Sequence, residues 1–106
     1  MRLKDTVQKE DFKIMVVDDE QGIVDSLSVF LKKSGYQLTG VTDPLEAIEM
    51  VKNGHYDLML LDFLMSPIHG DTVVEEIRKF NQELYIILLT GHKDLVPPLE
   101  TIKRLS

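Results

Sequence analysis

The sequence predicts an α/β protein built on a doubly wound parallel sheet. Short apolar runs alternate along the chain with amphipathic stretches. The runs lack a polar residue at every second position, as expected for strands that helices cover on both faces. Two of them stop abruptly at aspartate, after Val17 and after Leu61. Because right-handed crossovers align the carboxyl ends of parallel strands at one edge, we expect these acids to meet where such sheets bind ligands.

The first half of the chain predicts two strands and two helices. Strands are expected at 14–17 and 36–41, and a helix over 22–33 connects them. The apolar residues at helical spacing in this first helix are Ile23, Leu27, Phe30 and Leu31. Asp43 as N-cap, Pro44 at the first helical position and Glu46 begin a second helix. Its predicted apolar face consists of Leu45, Ile48 and Val51, and Asn53-Gly54 ends it.

The second half repeats the pattern. A third strand at 58–61 ends at Asp62, and a loop over 63–70 leads into a third helix. The apolar residues predicted for that helix are Val73, Val74, Ile77 and Phe80. A fourth strand at 84–89 ends at Thr90-Gly91, and a last helix is expected to begin near Pro97, because proline is tolerated in a first turn.

Composition narrows the function classes. A chain of 106 residues is long enough for one domain with one core. Its apolar runs are far too short to cross a membrane and no secretory signal is recognisable, so a cytoplasmic protein is expected. The lack of cysteine excludes thiolate chemistry. A net charge of -6 disfavours direct nucleic-acid binding, so proteins are the expected partners.

The strand ends predict a phosphate-handling metal site. Asp18, Asp19 and Asp62 should share one crevice, because adjacent parallel strands lie about 4.8 Å apart with their ends level. A few carboxylates, a backbone carbonyl and water are the ligands that Mg²⁺ favours. Asp62 is placed as a carboxylate nucleophile toward phosphorus, a reaction that needs charge shielding and in-line placement more than a general base. Thr90 can donate to a phosphoryl oxygen, and Gly91 leaves space beside it.

Three segments carry these residues: Val17-Asp18-Asp19-Glu20, Leu60-Leu61-Asp62 followed by Met65 and Gly70, and Leu88-Leu89-Thr90-Gly91. Together they resemble the receiver domains of bacterial two-component response regulators over about residues 12–96. The resemblance implies a flavodoxin-like fold with strand order 2-1-3-4. It divides the chain into a polar segment, 1–11, and a receiver domain, 12–106.

The resemblance also implies roles. The position of Asp62 accepts a phosphoryl group from a histidine kinase, which switches contacts with an effector domain or protein partner. Asp19 would bind Mg²⁺ directly, Asp18 through water, and the backbone carbonyl of Leu64 would be a third protein ligand. Thr90 would follow the phosphoryl group as the switch. Such a domain is a signalling module that assists its own phosphotransfer and dephosphorylation, and is not counted as an enzyme.

Two departures from the family pattern stand out. Met65-Ser66-Pro67 shifts the usual proline by one residue, for which we expect only a local change. The lysine at the end of a fifth strand, and the helix that follows, have no counterpart in these residues, since Lys93 and Lys103 come too early. We therefore expect an incomplete receiver that is phosphorylated poorly by itself. Its fourth strand would be an unpaired apolar edge that favours self-association.

The residues at the strand ends also bear on three rival functions. A phosphohydrolase of the haloacid dehalogenase type needs a second acid two residues after its nucleophile, where this chain has Leu64. A flavodoxin-like cofactor binder would not place acids after strand one, where they repel phosphate. A receiver-like interaction module that is never phosphorylated stays open. Asp57 is expected to be a turn acid at the opposite end of strand three, and His55, His69 and His92 to be surface residues.

Overall fold

A computed structural model describes residues 8–89 of the chain. Four parallel strands form one sheet in the order β2-β1-β3-β4, which confirms the predicted class and strand order. The strands are β1 (Lys13–Val17), β2 (Gln37–Val41), β3 (Leu58–Asp62) and β4 (Tyr85–Leu89). The helices are α1 (Gln21–Lys33), α2 (Pro44–Asn53) and α3 (Gly70–Arg78), and a 3₁₀ turn (Lys9–Asp11) precedes β1.

The strand register brings the carboxyl ends of the central strands level. Val17 at the end of β1 lies opposite Leu61 in β3 and Val41 in β2. Beyond it, the backbone N–H of Asp18 donates to the carbonyl of Val41 at 3.2 Å, which continues the pairing for one more residue. The residues that follow β1 and β3 therefore leave the sheet side by side.

Helices pack on both faces of the sheet, as predicted. The larger core lies under α2 and α3 and is built on the alternate residues Met15, Val17, Met59 and Leu61, all fully buried. The smaller core lies under α1 on Ile14 and Val16. Since β1 is buried on both faces, its sequence is continuously apolar, which is why it was recognisable.

The predicted apolar face of α1 is partly wrong. Leu27 and Leu31 pack against the sheet, but the fully buried residue is Val24. Ile23 is 41% exposed and Phe30 is 66% exposed. The helix is turned toward Val24 because β2 carries glycine at position 40, where any Cβ would collide with a Val24 methyl group. Because of this close approach, the face of α1 that packs on the sheet consists of Val24, Leu27 and Leu31.

The other helices differ from prediction at single positions. Asp43 caps α2 as expected, with its Oδ1 accepting from the N–H of Leu45 at 2.9 Å. The Leu45 side chain, however, is half exposed, and Ala47 takes its place in the core. Phe80 was assigned to α3, but α3 ends at Arg78 and the Phe80 ring lies on the surface beneath the Lys52 ammonium.

One side of β4 is open to solvent. Tyr85 and Ile87 point to the same face as their β3 partners Leu58 and Leu60, the face on which α1 packs. They are 75% and 49% exposed, respectively. Within residues 8–89, β4 pairs with β3 alone. The expected helix near Pro97 lies outside the described residues. No helix in the described range has the length and apolar character needed to cross a membrane.

Candidate functional site

The three predicted carboxylates come together at the carboxyl edge of the sheet. Asp18 and Asp19 follow β1, and Asp62 is the last residue of β3. One oxygen from each carboxylate lies within 4.8 Å of the others. The level strand ends described above produce this cluster, as the sequence predicted.

Backbone N–H groups orient each carboxylate. Asp18 Oδ1 accepts from the N–H of Glu20 at 2.9 Å, which turns the chain from β1 into α1. Asp62 Oδ1 accepts from the N–H of Leu64 at 3.4 Å, a long bond that leaves most of its charge uncompensated. Asp19 Oδ2 accepts from the N–H of Ser66 at 3.2 Å. Asp19 thereby ties the loop after β1 to the loop after β3.

Two of the three carboxylates are buried among like charges. Asp62 is 7% exposed and Asp18 is 8% exposed. Burial, followed by repulsion from Asp18, raises the pKa of Asp62 from 3.8 to about 6. Burial also raises the pKa of Asp18, and the bond from the Glu20 N–H partly offsets the rise. The site disfavours its own negative charge.

These carboxylates fit a divalent cation. The charged neighbours that shift the pKa of Asp62 are Asp18, Asp19 and Glu20, all of them acids. A hard cation with oxygen ligands removes that repulsion and lowers the pKa of every carboxylate it contacts. The three donors are carboxylate oxygens, which suit the alkaline-earth ions better than the softer transition metals. The cluster therefore has the composition of a divalent-cation site.

Gly70 fixes the loop that follows Asp62. A Cβ at this position would lie 2.7 Å from the Asp62 carbonyl oxygen and 3.0 Å from the Phe63 Cα. The Gly70 N–H donates to the Phe63 carbonyl, and the Phe63 N–H donates to the Leu89 carbonyl, both at 2.8 Å. The start of α3 thus presses directly on the residue after Asp62. Sequence reasoning noted Gly70 as part of a motif and missed this steric role.

The remaining predicted site residues have mixed outcomes. Leu64 is half-buried beside Asp62 and reaches it through its backbone N–H, while the role of its carbonyl stays a prediction. Thr90 and Gly91 lie outside the described residues. Leu89, directly before them, is bonded to Phe63 in the loop that follows Asp62. The end of β4, directly before Thr90, is therefore hydrogen-bonded to that loop.

Asp57 and His55 lie away from the cluster. Asp57 is more than a turn acid: its Oδ2 accepts from the N–H of Lys13 at 2.8 Å, across to β1, and its Oδ1 lies 3.0 Å from His55 Nε2. The bond from Lys13, aided by His55, lowers its pKa. His55 and His69 are exposed, as predicted, and His92 lies outside the described residues.

The family model described as "Response regulator receiver domain" matches residues 14–104. The chain belongs to the response regulator receiver domain family. Its function class is therefore the one expected from the motifs, a phosphoacceptor domain of two-component signal transduction. Similarity to solved receiver structures confirms the flavodoxin-like fold.

Curated proteins that contain a similar segment include transcriptional regulators. The chain is 36% identical over 98 residues to "Transcription factor SKN7" of Candida albicans, which covers 90% of this chain and 18% of that protein. It is 28% identical over 95 residues to "Phosphoglycerate transport system transcriptional regulatory protein PgtA" of Salmonella typhimurium, covering 90% of this chain and 23% of that one. The chain spans less than a quarter of the length of these relatives.

Similar solved structures include a ligand complex and a kinase complex. Response regulator TrrA of Thermotoga maritima in complex with Mg(2+)-BeF is 38% identical, with a TM-score of 0.74 over 78% of this chain and 72% of that one. TrrA in complex with histidine kinase ThkA is 34% identical, with a TM-score of 0.79, and the match covers 90% of this chain and 81% of that one. The beryllofluoride-activated NtrC4 receiver domain dimer is 27% identical, with a TM-score of 0.74, and the match covers 88% of this chain and 74% of that one.

Proposed function

We propose that Asp62 is the phosphoacceptor and that a histidine kinase is its phosphodonor. A carboxylate oxygen of Asp62 attacks phosphorus, the bond from phosphorus to the kinase histidine breaks, and its electron pair returns to the imidazole. The product is an acyl phosphate on Asp62. The observation that carries the proposal is the burial of Asp62 within 4.8 Å of two further carboxylates at a strand end. The complex of TrrA with a histidine kinase supports the choice of donor.

Mg²⁺ is the proposed cofactor. Asp19 and Asp62 would bind it directly, Asp18 through water, and Leu64 through its backbone carbonyl. When bound, it shields the carboxylates and neutralises charge on the incoming phosphoryl group. The acidic cluster supports a divalent ion, and the Mg(2+)-BeF complex of TrrA supports magnesium in particular. Asp19 would have to release the N–H of Ser66 or share its oxygens to serve as a ligand.

The chain's own residues prepare Asp62 for attack. Its carboxylate must be ionised, and a pKa of about 6 leaves roughly nine tenths of it ionised at pH 7 even without a cation. Gly70 and the bond from Phe63 to Leu89 hold the backbone on either side of the nucleophile. We propose that Thr90 and Gly91 then receive the phosphoryl group. Their position directly after Leu89, whose carbonyl is bonded to the Phe63 N–H, supports this step.

The output is proposed to be a change in protein contacts. The matched relatives are transcriptional regulators in which the segment similar to this chain is a minor part, so an effector domain or a separate protein partner would receive the signal. The family makes the chain a signalling domain, and its assistance to its own phosphotransfer and dephosphorylation belongs to the proposal. The cytoplasmic location expected from the sequence stays a prediction.

Self-association through β4 is also proposed. Tyr85 and Ile87 are exposed on β4, which pairs only with β3 within residues 8–89, and this supports the proposal, as does the NtrC4 receiver dimer among similar structures. We expect a dimer by light scattering at micromolar concentration, shifted toward monomer by Ile87→Lys. Val29→Lys is the matched control, since Val29 on α1 is also about half exposed, at 56% against 49% for Ile87. Equal masses for both variants would contradict the β4 edge.

The phosphoacceptor proposal is tested with acetyl phosphate and Mg²⁺, followed by intact-mass spectrometry. We expect slow addition of one phosphate, abolished by chelation and by Asp62→Asn. Asp57→Asn is the matched control, because Asp57 adjoins the opposite end of the same strand and should leave labelling intact. Equal labelling of wild type and Asp62→Asn, or no labelling after prolonged incubation, would contradict the proposal and favour an interaction module that is never phosphorylated.

A further inference from the structure

The loop between β3 and α3, residues 63–69, is anchored on either side of an exposed tip. Met65 is 3% exposed in the larger core, and Ile68 packs against the same core. Between these two anchors lies Ser66, which is exposed. The packing of its neighbours therefore fixes the position of the Ser66 backbone at the rim of the carboxylate cluster.

A backbone hydrogen bond connects this tip to one of the three carboxylates. The Ser66 N–H donates to Oδ2 of Asp19 at 3.2 Å, and the bond joins the loop after β3 to the loop after β1. Ser66 stands where the receiver pattern has its usual proline, which here follows at position 67. Proline has no N–H to donate. The shifted proline therefore gives this chain a bond to Asp19 that the usual arrangement does not allow.

Asp19 is the carboxylate of the cluster that packing confines least. Asp18 and Asp62 are 8% and 7% exposed, whereas Asp19 is classed with the exposed residues of the surface. A hydrogen bond to a carboxylate is strengthened by the negative charge of its acceptor. A cation bound to Asp19 withdraws that charge. The cation and the Ser66 N–H therefore compete for the same group, whichever of the two oxygens each one contacts.

We propose that the Ser66 N–H is a latch that competes with a divalent cation for Asp19. The inference rests on the proposed function, because it takes Asp19 to be a metal ligand. The closed latch lowers the affinity of the cluster for Mg²⁺ and ties the tip of the loop to Asp19. When the cation binds, this bond weakens and the tip is released, while Met65 stays in the core. Ser66 is thus a positioning residue that couples occupancy of the metal site to the loop after Asp62.

The first test follows amide hydrogen exchange in the wild-type protein, in chelator and at saturating Mg²⁺. We expect the Ser66 amide to exchange at least about threefold faster with Mg²⁺, because its acceptor has lost charge. The amides of Phe63 and Gly70 are internal controls, since they donate to backbone carbonyls at 2.8 Å and should not exchange faster. A Ser66 amide whose exchange does not respond to bound Mg²⁺ would overturn the proposal.

The second test compares two variants of Ser66 by calorimetry of Mg²⁺ binding. Ser66→Pro removes the N–H, whereas Ser66→Ala removes the hydroxyl and keeps the N–H, which makes it the matched control. We expect Ser66→Pro to bind Mg²⁺ about three- to tenfold more tightly than the wild type, and Ser66→Ala to bind as the wild type does. Equal or weaker binding by a folded Ser66→Pro variant, checked by circular dichroism, would overturn the latch. If that variant does not fold, the exchange measurement on the wild type decides.

The two tests separate failure of the latch from failure of the proposed function. A wild-type protein that binds no Mg²⁺ would contradict the proposed cofactor and the latch alike. Normal Mg²⁺ binding, with an unresponsive Ser66 amide and equal affinities for the wild type and Ser66→Pro, would overturn the latch alone.

Discussion

Replacing Asp62 by Asn should stabilise the metal-free protein at neutral pH. The folded pKa of Asp62 is about 6 and its ordinary value is 3.8, so the folded state disfavours the charged form. A group with a raised folded pKa contributes its stability below the unfolded pKa and loses it as the pH rises through the folded pKa. The loss for Asp62 therefore occurs between about pH 4 and 6, and at pH 7 it is complete.

The size of the effect follows from the shift. One pKa unit corresponds to about 1.4 kcal/mol, so a rise from 3.8 to about 6 corresponds to about 3 kcal/mol for a site that solvent does not screen. The cluster opens to solvent at the edge of the sheet, where exposed Asp19 lies, and screening reduces this value. We expect Asp62→Asn to raise the free energy of unfolding by about 1–2 kcal/mol at pH 7, and by almost nothing at pH 4.

Urea denaturation followed by far-UV circular dichroism measures this difference, since the chain has no tryptophan. Wild type and Asp62→Asn are compared at one protein concentration in chelator, at pH 4 and pH 7. Saturating Mg²⁺ at ten times its Kd should then stabilise the wild type by about 1.4 kcal/mol and the variant by much less. A variant that is less stable than the wild type in chelator at pH 7 would refute the electrostatic account.

Three further outcomes are expected. Asp57→Ala should lower the free energy of unfolding by about 1–2 kcal/mol, because it removes the bond that a charged group makes to β1. Because the pKa of Asp57 is lowered in the folded state, its contribution to wild-type stability is present above the unfolded pKa and is lost as the pH falls through the folded pKa. Urea curves for the variant and the wild type should therefore converge in strong acid. Gly70→Ala should lower the free energy of unfolding by about 1–3 kcal/mol, because a Cβ there displaces the Asp62 carbonyl. It should also weaken Mg²⁺ binding measured by calorimetry, and an unchanged affinity would contradict this. Asp19→Asn should weaken Mg²⁺ binding at least about tenfold in the same assay, whereas Asp25→Asn on α1 should not.

Much of the fold was predictable because burial on both faces leaves a clear signal. Residues of β1 and β3 touch helices above and below, so their runs are apolar without interruption and their ends are marked by acids. The helix faces were harder. The choice between Ile23 and Val24 depends on a glycine in another strand, at position 40, that lets α1 approach. Helical spacing alone carries no information about that contact.

The candidate site was predictable for the same reason, and only in part. Level strand ends were enough to bring Asp18, Asp19 and Asp62 together. Their unequal burial and the bond from Ser66 to Asp19 depend on how the loops fold back, which no local pattern encodes.

The central claim is that the phosphoryl group is carried by Asp62. Borohydride reduction of the phosphorylated protein converts an acyl-phosphorylated aspartate into homoserine, and peptide sequencing by mass spectrometry then locates it. We expect homoserine at position 62 only, formed only when Mg²⁺ and acetyl phosphate are both present. Homoserine at position 18, 19 or 57 with none at 62, or phosphate retained on a histidine, would contradict the account.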